Sequence, residues 1–333
     1  MNAPAPASAS AATVSAIPAD RLAHFPVALF STVMGIAGLA IAWIKASHVG
    51  GAPLEIGIVL RWAASALFLF LLAMYAAKLA VHPDAVRADC KHPVRLNFLP
   101  AISIGMILLS IAWAADAPFA ARWVWGIGSG AHLGFTLYAM SSWIHHTHYD
   151  IKHVNPAWFI PVVGNILVPI VGVRYAPADV SWFFFSIGLV FWLALLAIVL
   201  YRLFFHEALP ARLTPTLFIL IAPPAAGFLA YVALAGEIDA FARVLYFTAL
   251  FLTLLLASNA PRFVRLPFFI SAWAYSFPLA AMTIATFEMA ARSGAGFYGA
   301  LAWLMLALLS GLVALLTLAT LAAAARARIC VPE

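Results

Sequence analysis

Residues 155–174 read NPAWFIPVVGNILVPIVGVR, an apolar stretch with no charged side chain before Arg174 and with three prolines, Pro156, Pro161 and Pro169. About 20 apolar residues make one membrane crossing, so the stretch has the length of a transmembrane segment. Its prolines oppose a straight helix. Proline lacks the N–H of the i→i−4 bond, and its ring clashes with the preceding turn. In lipid, a freed backbone group is tolerated only where it faces protein or a wet cavity. The neighbouring segments, 119–146 and 179–205, are apolar and have no proline at all.

Outward from this point the alternation continues to both ends of the chain. Apolar segments are read at 25–46, 56–81, 97–116, 119–146, 155–174, 179–205, 213–236, 238–258, 266–290 and 295–325. Every odd-numbered one carries proline: Pro26, then Pro100, the three above, Pro215 with Pro223 and Pro224, and Pro267 with Pro278. The even-numbered ones carry none. The expected fold is an all-α membrane protein of ten transmembrane helices in five helical hairpins. The odd helices are bent and inside, around a pore, and the even helices are straight and outside, facing lipid. Bends are expected at Pro26, Pro100, Pro161, Pro223 and Pro278. This transmembrane domain spans 22–327. Residues 1–21, rich in Ala, Ser and Pro, read as a disordered N-terminal tail, and 328–333 as a short C-terminal tail.

Composition supports the membrane reading. The 333 residues are 65% hydrophobic and 9% charged, where a soluble domain has about 25% charged residues. The formal net charge of +6 sits at segment ends, which suits anionic lipid headgroups and not nucleic acid. Most of the 18 Lys and Arg flank one side: Arg21, Lys78, Arg87, Lys91, Arg95, Lys152, Arg202, Arg212, Arg262, Arg265, Arg326 and Arg328. That bias puts both termini in the cytoplasm of a cell with the protein in its inner (plasma) membrane. Arg61, Lys78, Arg202 and Arg243, near the ends of even helices, are expected to snorkel to the headgroups. Cys90 and Cys330 lack any metal or redox spacing and read as ordinary thiols. No cofactor is implied.

Between their ends the odd segments hold no Asp, Glu, Lys, Arg or His. Proton pumps and voltage sensors need ionisable groups in the membrane, and many cation pores use carboxylate rings. Small residues and hydroxyls remain, and with bent backbone they make an anion path of modest affinity. The candidate pore-lining residues are Phe30, Gly35, Ser103, Gly164, Gly227 and Ser276. On the ninth segment Phe277 directly precedes Pro278, where the backbone bends. A large aromatic there can close a lumen by excluding water.

Three stretches carry a family resemblance: His24-Phe25-Pro26, residues 155–164 of the opening stretch, and Ala272-Trp273-Ala274-Tyr275-Ser276-Phe277-Pro278. They resemble the tellurite-resistance/dicarboxylate transporter family, which includes bacterial TehA, yeast malate permeases and the slow anion channels of plant guard cells. The resemblance covers about residues 22–325. It implies ten helices in five hairpins, a homotrimer with one pore per protomer, small anions as the cargo, and a pore phenylalanine on the ninth helix. That phenylalanine corresponds to Phe277, with Phe269 as second choice.

Other constellations point elsewhere with less force. His145, His146, His148 and His153 cluster at the end of segment four, but without a cysteine pair they read as a pH-sensitive helix end, not a metal site. His132, deep in segment four, reads as a hydrogen-bonded helix–helix contact. The expected function is a membrane anion channel. The alternatives are a secondary transporter for C4-dicarboxylates such as malate, or for tellurite efflux, and, from another class, a membrane enzyme built on the histidines.

Overall fold

The computed structural model describes residues 20–145 and 149–331. The expected tail at 1–21, apart from its last two residues, lies outside the described residues, as do His146 and His148. Among the described residues the chain is helical, with no strand.

The helices follow the segments read from the sequence: α1 Phe30–Gly50, α2 Leu54–Val81, α3 Ala101–Trp113, α4 Pro118–His145, α5 a run of short pieces over Pro156–Gly172, α6 Ala178–Phe205, α7 Ala222–Ala235, α8 Ala240–Ser258, α9 Ser276–Ser293 and α10 Gly296–Ala325. Eight of these, with their leading turns, are long and apolar enough to cross a membrane. The two that fall short are α4 and α5. In α4, Arg122, His132, His145 and four glycines dilute 28 otherwise suitable residues. In α5 the three prolines break the stretch into pieces of three to five residues.

The prolines fall near the points where the helix type changes. Every odd helix is entered through a tighter 3₁₀ stretch: Val27–Leu29, Arg95–Phe98, Pro156–Trp158, Thr214–Ile221 and Ile270–Tyr275. Pro26 caps the first 3₁₀ turn and Pro100 is the N-cap of α3. Pro223 falls in the first turn of α7, and Pro278 is the third residue of α9. The first turn of an α-helix has N–H groups with no intrahelical partner, so a missing N–H costs little there. Pro161 is likewise the third residue of its piece, Phe159–Val163. The proline signal therefore marks the joint between two helix types.

Contacts arrange the helices in two layers. The odd segments touch in a closed cycle, α1 to α3, α3 to α5, α5 to α7, α7 to α9, and α9 back to α1. Each even helix packs on the odd one before it and on the next odd one, so that it covers a seam. Burial follows. In their most apolar stretches, the spans containing α1, α3, α7 and α9 are 72, 78, 61 and 67% buried, and α2, α6, α8 and α10 only 28, 33, 33 and 28%. The outer faces present Val59, Leu69, Phe119, Phe204, Phe251 and Leu308, an apolar surface far beyond what a soluble monomer shows. The protein is a multi-pass membrane protein.

Glycines on even helices allow the close seating. A Cβ on Gly188 of α6 would fall 2.8 Å from the backbone nitrogen of Ile166, and one on Gly57 of α2 3.0 Å from that of Ile44. Small residues are how membrane helices approach closely without a hydrophobic driving force.

Three of the cations expected to snorkel are buried instead. Lys78 donates to the Phe25 carbonyl (2.9 Å) and to Asp89 (2.6 Å), which also accepts from Arg95 (2.9 Å). Asp89 sits on a short helix, Pro83–Lys91, and this connection supplies the partner that the span alone lacks. Arg61 pairs with Asp116, donates to the Ala112 carbonyl and stacks on Trp113 at 3.8 Å. Arg202 donates to the Glu207 carbonyl. A buried cation is tolerable when carboxylates or carbonyls take its protons. Burial, and then the neighbouring Asp89, push the Cys90 thiol up from its ordinary value, in keeping with an inert thiol. The two ends of the described chain meet, with Arg21 donating to the Ile329 carbonyl at 3.0 Å.

Candidate ion path

Inside the cycle of odd segments lies a cavity of about 60 Å³, room for a few water molecules. Ser31 and Met34 line it from α1, and Phe98, Ala101 and Ile104 from the third segment. Phe159, Ile160, Val163, Gly164, Ile166 and Leu167 come from α5, and Ile219, Ala222, Pro223 and Ala226 from the seventh. Trp273, Ala274, Phe277 and Pro278 complete the wall from the ninth. All five odd segments contribute, and no residue of an even helix does. The wall carries no charged side chain.

The joints between 3₁₀ and α helix share one device. On each odd segment, at or near such a joint, a polar side chain donates to the carbonyl three residues upstream. Ser31 donates to Ala28 (2.6 Å), Ser103 to Pro100 (2.8 Å), Asn165 to Val162 (2.7 Å), Thr216 to Leu213 (2.6 Å) and Ser276 to Trp273 (2.6 Å). Every odd segment has at least one such bond, and the first and third have a second, from Thr32 to Leu29 and from Ser110 to Ile107. A hydroxyl has a single hydrogen, so these serines and threonines have no donor left for an anion. The hydroxyls stabilise the backbone and leave the lumen apolar.

Of the residues singled out from the sequence, the structure brings Gly164, Phe277, Pro223 and Pro278 to the cavity wall. Phe277 is 9% exposed, and its ring edge lies 3.6 Å from where a Cβ on Gly38 would stand, so it rests against α1. Phe269 is elsewhere. It caps the 3₁₀ turn ahead of α9 in extended conformation and does not line the cavity.

Phe30, Gly35, Ser103, Gly227 and Ser276 do not line the cavity either, and each has a packing reason. Phe30 is fully buried, edge-on to Phe68 and Tyr75. Gly35 accommodates Ser276, whose Oγ would be 2.2 Å from an added Cβ. Ser103 faces His132 of α4 at 2.9 Å. Gly227 backs onto Ile166 and Leu245. The sequence reading missed Met34, Phe98, Phe159, Ile160, Ile219 and Trp273, apolar residues whose only signal is their place beside a joint.

At the end opposite the chain termini the inner helices carry charge. Lys45 of α1 pairs with Glu288 of α9, and Arg292 pairs with the same carboxylate and donates to the Gly236 carbonyl beyond α7. Cations at helix C-termini oppose the negative end of the helix dipole. His145 and His153 engage local groups, the Ser141 carbonyl and the Asp150 N–H.

A family model described as "SLAC1: Voltage-dependent anion channel" matches residues 24–321. The S-type anion channel SLAH3 of Arabidopsis thaliana is 29% identical over 282 residues, 81% of this chain and 44% of that protein. The guard cell S-type anion channel SLAC1 of the same plant is 26% identical over 283 residues, 81% of this chain and 50% of that protein. The tellurite resistance protein TehA homolog of Haemophilus influenzae is 27% identical over 275 residues, 82% of this chain and 81% of that protein. The chain thus spans about half the length of the plant channels and most of the bacterial protein.

Proposed function

The chain belongs to the SLAC1 family of voltage-dependent anion channels, and from that premise we propose that it conducts small anions through a pore of its own, occluded by Phe277. The observation that carries this reading is the cavity wall, built by all five odd segments, free of charged side chains and including Phe277. Ten membrane crossings in five hairpins follow when α4 and α5 are counted as crossings, the latter shielded from lipid by α4 and α6. Both termini then lie in the cytoplasm, with the protein in the cell inner membrane. Three copies assemble through the even helices, each keeping a separate path.

An anion in this cavity meets hydrocarbon and aromatic surface, with the hydroxyl hydrogens already engaged. Passage is then limited by dehydration, which favours weakly hydrated monovalent anions over a tightly held substrate. The tellurite resistance relative by its name, and the family resemblance for C4-dicarboxylates, support a second reading, carriage of one of these. The wall weighs against it, because no Arg or Lys is present to hold paired carboxylates.

Planar-bilayer recording of the purified protein tests the proposal. Wild type passes little current, and Phe277→Ala raises anion current at least ~10-fold, about 1.4 kcal/mol off the barrier. A silent variant combined with saturable isotope uptake would overturn the channel and favour the carrier.

A further inference from the structure

Behind the cavity wall at Gly164 stands His132 of α4, fully buried. Ser103 donates its one hydroxyl hydrogen to the Pro100 carbonyl at 2.8 Å. With that hydrogen on the Pro100 carbonyl, the same oxygen accepts from His132 Nδ1, 2.9 Å away, and on this hydrogen-bond pattern we assign the ring as the Nδ1–H tautomer. Nε2 is then a bare lone pair, and it has no hydrogen-bond partner. It is aimed at the wall: a Cβ placed on Gly164 would sit 2.4 Å from both Cε1 and Nε2. Gly164 itself lines the cavity, so one glycine backbone separates the free nitrogen from the proposed ion path.

The surroundings offer this ring no counter-charge. The elements packed most closely against α4 are α3 and the pieces of α5, and neither contains a titratable side chain; Cys90 and Tyr175 also touch α4, at Tyr138 and Trp125, six and seven residues from His132. They present Ser103 and Ile104 on one side and Pro161, Gly164 and Asn165 on the other. On α4 the titratable groups are Arg122, Tyr138 and His145, all more than a turn away along the helix. An ionisable group inside a membrane protein is costly and marks a functional site by default. A buried polar atom without a partner needs its own explanation.

We propose that His132 Nε2 is a proton-binding site coupled to anion occupancy of the cavity. A proton from the aqueous phase adds to the Nε2 lone pair, and the imidazolium is the counter-charge of an anion lying across Gly164. With the cavity empty, the charge has no partner and the ring stays neutral. With an anion present, the two charges stabilise each other strongly in a medium of low dielectric constant. Linkage makes the effect reciprocal: acid promotes anion occupancy, and the anion promotes protonation by the same factor. The proposal rests on the channel reading for its anion and deepens it by adding a regulator.

Two readouts separate the proposal from that reading. In histidine-¹⁵N NMR of the full chain in micelles, His132 is the ring shielded from solvent exchange. Replacing gluconate with nitrate should raise its titration midpoint by about one pH unit, a tenfold gain in proton affinity. An unchanged midpoint overturns the proposal, and this wild-type measurement stands whether or not any variant folds. In bilayers, nitrate current through Phe277→Ala should rise several-fold from about pH 7.5 to about pH 5, where imidazole titrates. Adding His132→Gln should flatten that rise. Acid stimulation that survives the second substitution also overturns it. Currents that ignore pH, with a midpoint that ignores nitrate, sink the proton site and leave the channel standing. A nitrate-sensitive midpoint without current in any variant sinks the channel and leaves the proton site.

Discussion

Helices α1 and α2 are neighbours joined only by Gly51, Ala52 and Pro53 and are equally apolar, yet 72% of the first span is buried and 28% of the second. Hydropathy does not distinguish them. What differs is where each keeps its polar groups. The inner helix has hydroxyls and, before Lys45 near its end, no charge, and the hydroxyls serve its own backbone. The outer helix has Arg61 and Lys78, both turned inward onto buried partners. In this molecule the outer-helix charges are turned inward, and the inner ring is free of charge except at its ends.

The sharpest way to break that contrast is to unpair an outer-helix charge. Asp89→Asn leaves Lys78 buried with only a carbonyl, and we expect a loss of about 3–5 kcal/mol, read as a lowered unfolding temperature in detergent. Stability equal to wild type would mean that Lys78 reaches water after all.

Glycine substitutions compare the layers directly. Gly35→Ala forces a methyl against Ser276 and Trp273, within 2.2 and 2.8 Å, and overpacking of this kind costs about 1–3 kcal/mol. Gly130→Ala on α4 meets nothing within 4 Å and should be neutral or slightly stabilising. Equal effects at the two positions would refute a tight inner ring around a loosely covered outside.

Phe277→Ala moves the comparison to function. Its ~10-fold gain of anion current, about 1.4 kcal/mol, should appear together with a lowered unfolding temperature, because truncating a buried phenylalanine enlarges the cavity it borders. The smallest effect concerns the joints. Ser276→Ala removes one side chain-to-carbonyl bond and should cost about 0.5–1.5 kcal/mol while leaving the chloride-to-nitrate permeability ratio unchanged. A shifted ratio would return that hydroxyl to the lumen.

The layering was legible because proline has one steric meaning wherever it falls. Its alternation separates the buried segments from the exposed ones without any other information. The facing of individual side chains was not legible. Each odd segment changes from three residues per turn to 3.6 at its joint, so no single period tells which side points inward. Ser103 and Ser276 look like lumen hydroxyls in the sequence, and the joint turns both into helix contacts. Phe277 and Gly164 lie near enough to a proline for its position to indicate theirs. Lys78 was misread as snorkelling because its partner, Asp89, lies in a connection that apolarity alone leaves blank.

The contact between Arg21 and the Ile329 carbonyl has a topological consequence. The inner segments close a cycle in which the last meets the first, and the two ends of the described chain meet beside that closure. A short linker joining them would let the chain be reopened in any even-to-odd connection. Such circular permutants keep every helix pairing and cross the membrane in the same sense, as expected where chain ends lie together at the surface. The order of synthesis is then separable from the architecture: the ring has no privileged first member.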